Sequence, residues 1–595
     1  MSASSNGRTD EGASWLAGLV GLRSVSNWWS ASPPERPWLE QYPVGVPAEL
    51  AYPQQRLGWL LQQAAERYPN RVACYYYHEQ LTYAELLTRA QRLAAVFVRE
   101  GLQPGDRIGL LLPNLPETLV SLFATWLAGG VVVSLSPLMV AGEVQALIKA
   151  TGCRFVVTLD VLTPLVCQGT TPPELVVVTS LTGRLSRLEG LGLAWVRFRR
   201  LGFGTVCPQT RMLRFDDAIN SLPTSHRASM VDGPGIHDAA FVLPTGGTTG
   251  QPKAVTLTHH NLIAQAWQLA HWSRSHHGEE TILAVLPFFH SYGLSTTVMM
   301  GLAMGASLVL HHRFRPESVV RLMESHRPTM FLAVPAMLVA LNATIRGNPK
   351  QGFRSLRAVI SGGAPLSAAV AQEFEQRTGA VVVEGYGLSE ASPVTHVGPL
   401  DGSAIRGTIG LPISDTAAMI VDAGTGLEML PNGTVGELLV HGPQVMLGYW
   451  NNPAATAEVI RDGWLHTGDL ASCDERGFFK IVDRKKDLII TSGFNVYPAD
   501  VEAVLRTYPG VVDAAVVGAP DERRGEVVCA VLVVQARKDF KRRAFDEFTH
   551  QQLAAYKRPL VVQVQEEDLP RNFLGKVLRR ELRHQQSTCP ADHQE

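Results

Sequence analysis

From residue 41 to about 480, apolar β-branched runs alternate with amphipathic helical stretches. No other feature limits the fold as much. "GDRIGLLLP" (105–113), "ASLVLHH" (306–312) and "LRAVISGG" (356–363) read as buried strands, and "TYAELLTRAQRLAAVFVRE" (82–100) as a helix between them. Continuous rather than alternating apolar strands mean sheets covered on both faces, so parallel sheets are expected. Near "PNGTVGELLVHGPQVMLGYW" (431–450) the pattern shortens to strands and glycine turns, a small β subdomain. After Asp483 a compact α+β block follows, with "VVDAAVVGAP" and "VVCAVLVVQ" as strands. The expected class is α/β: a large N-terminal domain of stacked α/β sheets with a small β subdomain, and a small α+β C-terminal domain. The divisions read as an irregular arm (1–40), the large domain (41–483), the C-terminal domain (484–585) and a tail (586–595).

At 595 residues, with 46% hydrophobic, the chain has material for more than one core. Residues 118–142 contain no charge, long enough to span a bilayer. "AGG" at 128–130 and Pro137 break the run, and "VVVSLS" has strand chemistry, so a helix followed by a buried strand explains it better. The apolar "ASWLAGLVGL" (13–22) follows Asp10 and Glu11, not the basic flank of a signal peptide. A net charge of −1 gives no footing for a general polyanion binder, and no nucleic acid partner is expected. The 7 cysteines are scattered without a CxxC pair, which predicts a reducing, cytoplasmic setting with neither disulfide framework nor zinc site. "RLEGLGLAWVRFRRLGFG" (187–204) reads as a solvated surface helix, with peripheral membrane contact left open.

The stretch most charged with chemistry is "FVLPTGGTTGQPKAVTLTHHNL" (241–262). Glycines expose backbone N–H groups, hydroxyls add donors and a lysine adds a cation: together, a phosphate cradle. It lacks the Gly-Lys-Ser/Thr ending of a Walker loop. Composition alone leaves a flexible connection equally open.

Further along come "VEGYGLSE" (383–390), "WLHTGD" (464–469), "IVDRKKDLIITSGFNVYPADVE" (481–502) and "LPRNFLGKVLRREL" (569–582). This ordered set resembles the adenylate-forming superfamily of acyl-CoA synthetases, luciferases and peptide-synthetase adenylation domains, from about Trp38 to Arg583. The wording is most similar to bacterial long-chain fatty acid–CoA ligases. The resemblance implies that ATP and a carboxylate form acyl-AMP and pyrophosphate, and that coenzyme A then displaces AMP. It implies that Thr245, Gly247, Thr248, Thr249, Gly250 and Lys253 hold the β- and γ-phosphates. Gly363, Ala364 and Pro365 lie along adenine, and the Glu384–Gly385–Tyr386–Gly387 stretch brings the Tyr386 ring to stack on it. Ser389 meets the α-phosphate, and Glu390 with Thr248 holds Mg²⁺. Asp469 and Arg484 take the ribose, and His290 in "PFFHSYG" sits near the reacting carboxylate. Lys576 neutralises the meeting anions, and Lys486 is the hinge on which the small domain turns between half-reactions.

Two departures stand in the loop: Gly246 replaces the family's serine, and Ala254 the glycine after the lysine. Asp500 stands for the commoner glutamate. A carrier-protein thiol in place of coenzyme A, and a non-catalytic binding protein on the same fold, are the alternatives. Lys576, Asp469, Arg484 and Glu390 together argue against the latter.

Overall fold

The computed structural model describes residues 36–167, 172–181, 210–221, 233–245, 253–346, 353–492, 494–521, 523–572 and 575–587. The basic stretch 187–204 and the loop residues Gly246 to Pro252 lie outside them.

Two large sheets build the N-terminal part, as the apolar runs predict. In one, Val381–Gly387, Ala358–Ser361, Met330–Ala333, Thr281–Ala284, Ser307–Leu310 and Val72–Tyr76 lie side by side and parallel. Antiparallel strands close its edges, Glu79–Thr82 at one end and Val394–Val397 with Leu411–Pro412 at the other. The second sheet runs Gly448–Tyr449, Lys253–Thr258, Ala239–Thr245, Val131–Ser134, Arg107–Leu111, Phe155–Leu159, Leu175–Thr179 and Arg211–Arg214. Its last six strands are parallel, and Lys253–Thr258 is antiparallel to both neighbours.

The uncharged run at 118–142 is explained by the helix Pro116–Leu127, every residue of which is buried, leading into the strand Val131–Ser134. Among the described residues no helix is long and apolar enough to cross a membrane. The helix Tyr83–Arg99 begins at a capping box: the Glu85 N–H donates to Thr82 Oγ1 (3.3 Å) and the Thr82 N–H to Glu85 Oε2 (2.8 Å). One hydrophobic core joins both sheets, from Trp38 to Phe479.

The β subdomain is antiparallel throughout, with Ala417–Val421, Gly436–His441, Trp464–Cys473, Ile460–Arg461 and Phe479–Arg484. The sequence places 431–450 wholly in it, but the end of that stretch leaves. Gly448–Tyr449 instead pairs with Val255 and Thr256 at the edge of the second large sheet. The expected arm also ends earlier than residue 40: Pro37–Gln41 is a 3₁₀ turn whose Trp38 is buried edge-on to Phe479. A further correction concerns the cysteines. Cys167 is disulfide-bonded to a partner outside the described residues, while Cys74, Cys153, Cys473 and Cys529 are free and buried.

The C-terminal α+β unit has its own sheet, built on the long hairpin of Val511–Asp521, along the sheet's edge, and Gly525–Val534, inside it. Alternate residues of that hairpin feed two separate clusters. Val516, Val528, Ala530 and Leu532 pack with Val501, Leu505 and Phe545 of two helices. Ala515, Val517, Cys529 and Val531 pack with Leu569 and Leu582.

Candidate active site

The phosphate-type loop joins two paired strands. Ala239–Thr245 and Lys253–Thr258 pair antiparallel, so Thr245 and Lys253 face each other across the loop's base. Gly247, Thr248, Thr249 and Gly250 lie outside the described residues. Lys253–Thr258 runs straight into the helix His259–Trp272, whose Asn261 N–H donates to Thr258 Oγ1 (3.0 Å). Lys253 Nζ lies 5.0 Å from the centre of the Tyr449 ring and 3.4 Å from Glu458 Oε2.

"GYGLSE" leaves the first sheet as the strand Val381–Gly387 and turns through Ser389–Ala391. Gly387 has to be glycine, because a Cβ there would run into the Pro393 carbonyl. Glu390 Oε1 accepts from the Tyr449 hydroxyl (2.9 Å), and its main-chain carbonyl accepts from the Met446 N–H (2.8 Å). Ser389 Oγ lies 3.3 Å from Ser291 Oγ, joining this turn to the segment behind His290. Gly363 to Pro365 form the turn after Ala358–Ser361, and the Leu366 N–H behind them donates to Glu384 Oε2 (3.1 Å). Glu384 therefore steadies that turn from the neighbouring strand, in which Ser361 and Glu384 are directly paired. Gly385 packs against Ile360 of the same neighbour.

Asp469 and Arg484 are cross-strand neighbours in the β subdomain. Asp469 is buried, with Oδ1 at 3.0 Å from Arg484 Nε, while Oδ2 accepts from the Tyr386 hydroxyl (2.6 Å). Burial and this carboxylate push the Tyr386 hydroxyl well above its ordinary pKa, so it stays a donor. Behind them Glu437, also buried, accepts from the Gly468 N–H (3.2 Å) and Lys485 Nζ (2.8 Å). Against the desolvation that raises it, His466 and Lys485 hold its pKa down at about 2.

Lys576, near the other end of the chain, lies within range of the charges of Arg484 and Asp469. Its turn is closed by Asn572, which accepts from the Lys576 N–H through Oδ1 (2.9 Å). Gly575 lies against Ala336 of the large domain. Burial first, then Arg484 and Lys486, push the Lys576 pKa down to about 8, with Asp469 and Asp487 opposing.

His290 begins the helical stretch Ser291–Met304, whose middle, Leu294–Met299, is a π-helix. Its Nδ1 accepts from the Tyr292 N–H (3.2 Å), which leaves the ring proton on Nε2, and burial pushes its pKa down to about 4. The ring is thus a neutral donor at physiological pH. The second sheet holds this loop. Asn114 donates to the carbonyls of Ala284 (3.0 Å) and Leu286 (2.8 Å) and accepts from the Phe288 N–H (2.9 Å). Ser134 Oγ donates to the Phe289 carbonyl (2.6 Å).

Around Lys486 the contacts change sides. Arg484 and Lys485 pair with Asp469 and Glu437 of the β subdomain. The Lys486 carbonyl accepts from Arg583 Nη2 (3.3 Å), and Asp487 pairs with Arg583 (3.1 Å) and Arg579 (3.6 Å) of the final helix, Arg579–Ser587. A hydrogen bond nevertheless crosses the change: Asp483 Oδ2 accepts from the Ala499 N–H (2.9 Å).

Asn114, Ser134, Glu437, Tyr449 and Asp487 are not marked by the sequence reading. Their partners lie far off in the chain, and no local pattern signals such contacts. Asn114 and Ser134 do stand just beyond or at the ends of buried parallel strands, where α/β sheets place ligands.

Residues 61–450 match the AMP-binding enzyme family, and residues 500–576 the AMP-binding enzyme C-terminal domain. A long-chain-fatty-acid–CoA ligase of Bacillus subtilis is 36% identical over 561 residues, covering 92% of this chain and 98% of that protein. A feruloyl-CoA synthase of an Amycolatopsis species is 35% identical over 538 residues, with coverages of 89% and 99%. The crystal structure of ATP-bound MatB from Rhodopseudomonas palustris superimposes with a TM-score of 0.75 at 30% identity, covering 90% of this chain and 99% of that one.

Proposed function

This chain belongs to the AMP-binding enzyme family, and from that premise we propose that it is an acid–thiol ligase. It activates a medium- or long-chain fatty acid with ATP and passes the acyl group to coenzyme A. The observation that carries this reading is the buried Asp469, engaged by Arg484 (3.0 Å) and by the Tyr386 hydroxyl (2.6 Å), with the Lys576 ammonium within range of the charges of both Asp469 and Arg484.

In the first step a carboxylate oxygen attacks the α-phosphorus, and the bond to pyrophosphate breaks. Two anions have to approach, and Lys576 offsets their repulsion where charge gathers most. The neutral His290 donates from Nε2 toward the incoming carboxylate without competing for a proton. Ser389 meets the α-phosphate. Thr245, Gly247, Thr248, Thr249, Gly250 and Lys253 engage the β- and γ-phosphates. Tyr386 lies at the adenine, with Gly363, Ala364, Pro365, Glu384, Gly385 and Gly387 shaping that wall. Asp469 and Arg484 hold the ribose. In the second step the thiolate of coenzyme A attacks the acyl carbon and the bond to AMP breaks.

Among the described residues no group of three His, Cys, Asp or Glu is placed to hold a metal. One carboxylate, Glu390, fits Mg²⁺, which is commonly bound by one or two carboxylates together with substrate phosphates. Glu390 and Thr248 would hold the ion, and it would neutralise phosphate charge there. We place the passage between the two domains at the turn Lys485–Asp487, a few residues past the 483/484 division expected from the sequence, with the large domain already begun at Pro37–Gln41.

The test is pyrophosphate and thioester formation over carboxylates from acetate to oleate, with and without coenzyme A. The expected outcome is pyrophosphate release rising with chain length, since each buried methylene adds about 0.8 kcal/mol, and thioester only with coenzyme A. Acyl-AMP that accumulates in the presence of coenzyme A would shift the assignment to a carrier-protein acceptor. A preference for an aromatic acid would move the substrate class.

A further inference from the structure

The Tyr449 side chain touches both the carboxylate and the cation to which the preceding section gives the triphosphate end of ATP. Its hydroxyl donates to Glu390 Oε1 (2.9 Å), and its ring carries Lys253 Nζ at 5.0 Å from the centroid. The backbone beneath it is fixed on each side. Tyr449 pairs with Val255, and the Trp450 N–H donates to the Ala254 carbonyl (2.7 Å) on the strand leaving the phosphate loop. The Tyr449 N–H donates to Thr456 Oγ1 (2.9 Å). Gly448 stands at φ +151°, with Thr456 packed where a Cβ would sit. The segment is anchored to the helix behind by Asn261 Nδ2, which donates to the carbonyls of Pro443 and Val445 (2.8 Å each). The same segment also grips the Glu390 main chain through Met446. A residue so placed, only 6% exposed, transmits the position of one group to the other.

We propose that Tyr449 is a positioning residue that aims Glu390 at the cation on ATP and seats Lys253 on the same phosphates, so that metal and triphosphate are bound as one unit. The inference rests on the ligase reading above. A hydrogen bond to Oε1 fixes the plane of the carboxylate and presents Oε2 outward, the usual task of a residue behind a metal ligand. The ring face holds an ammonium without neutralising it, as the Glu458 carboxylate does when it pairs with Lys253. Removing the hydroxyl alone therefore loosens the metal, and removing the ring as well loosens the phosphates.

Binding of Mn²⁺ is followed by electron paramagnetic resonance with an α,β-methylene ATP analogue, and binding of the analogue alone by calorimetry in EDTA. In Tyr449→Phe the Mn²⁺ affinity of the ternary complex should fall about ten-fold or more. Metal-free analogue affinity should stay within about two-fold, and the fatty acid KM should not move. Excess Mg²⁺ should restore acyl-AMP formation. In Tyr449→Leu both affinities should fall. Wild-type Mn²⁺ affinity in Tyr449→Phe overturns the proposal, and so does an equal loss with and without metal. A wild-type protein that forms no acyl-AMP from any acid would overturn the ligase reading instead, which the binding measurements do not depend on.

Discussion

Burial, with Arg484 and Lys486 nearby, brings Lys576 down to a pKa of about 8, well below an ordinary lysine near 10.4. Between those values the unfolded chain holds a proton that the folded one has released. Stability from this group therefore rises with pH across that window, and the cation proposed for adenylation is lost across it. Acyl-AMP formation should accordingly decline as pH rises through about 8, while the stability contributed by this group increases. Quenched-flow measurement of pyrophosphate against pH checks this, and Lys576→Arg, which stays charged, should flatten the decline at a lower overall rate. Lys576→Ala should lose the adenylation half-reaction by about two to three orders of magnitude, as for removal of one charge-stabilising donor. Thioester formation from supplied acyl-AMP should fall much less, and equal losses in both half-reactions would remove Lys576 from the role.

Among elements, the short 3₁₀ turn Lys485–Asp487 is where allegiance changes. Lys485 is paired backward to Glu437, while the Lys486 carbonyl and Asp487 are paired forward to the final helix. A rotation of the small domain that keeps these pairs falls on the few backbone angles between Lys485 and Asp487, the φ of Lys486 among them, and proline would fix that angle near −65°. Lys486→Pro should keep most acyl-AMP formation and nearly lose acyl-CoA formation, read by quenching both half-reactions separately. Full thioesterification in a folded variant would put the hinge elsewhere. The strands and the motif order are legible in the sequence because buried parallel strands read as apolar runs and because the site residues cluster in short stretches. The capping box at Thr82 is equally local. What resists reading is pairing at a distance. Nothing near Tyr449 announces Glu390, and the departure of Gly448–Tyr449 to another sheet follows from tertiary pairing with the phosphate hairpin, which two residues of strand cannot encode.

Over the whole molecule, one core runs through both large sheets and the β subdomain, while the C-terminal sheet carries separate clusters on its two faces. Units with their own cores unfold as their own cooperative steps. Calorimetry should resolve two transitions, and residues 487–587 expressed alone should give one cooperative melt; a single transition with a molten isolated domain would contradict the division. Between those units lies Asp469, both of whose carboxylate oxygens are engaged by the protein itself, through Tyr386 and Arg484. A sugar hydroxyl arriving there trades partners with side chains already satisfied, and such an exchange adds little net free energy. On the assignments proposed above, the grip on the nucleotide falls to the triphosphate end, which the reaction itself severs. On the ribose assignment proposed above, release of AMP should then not limit turnover, and added AMP should inhibit acyl-CoA formation only weakly.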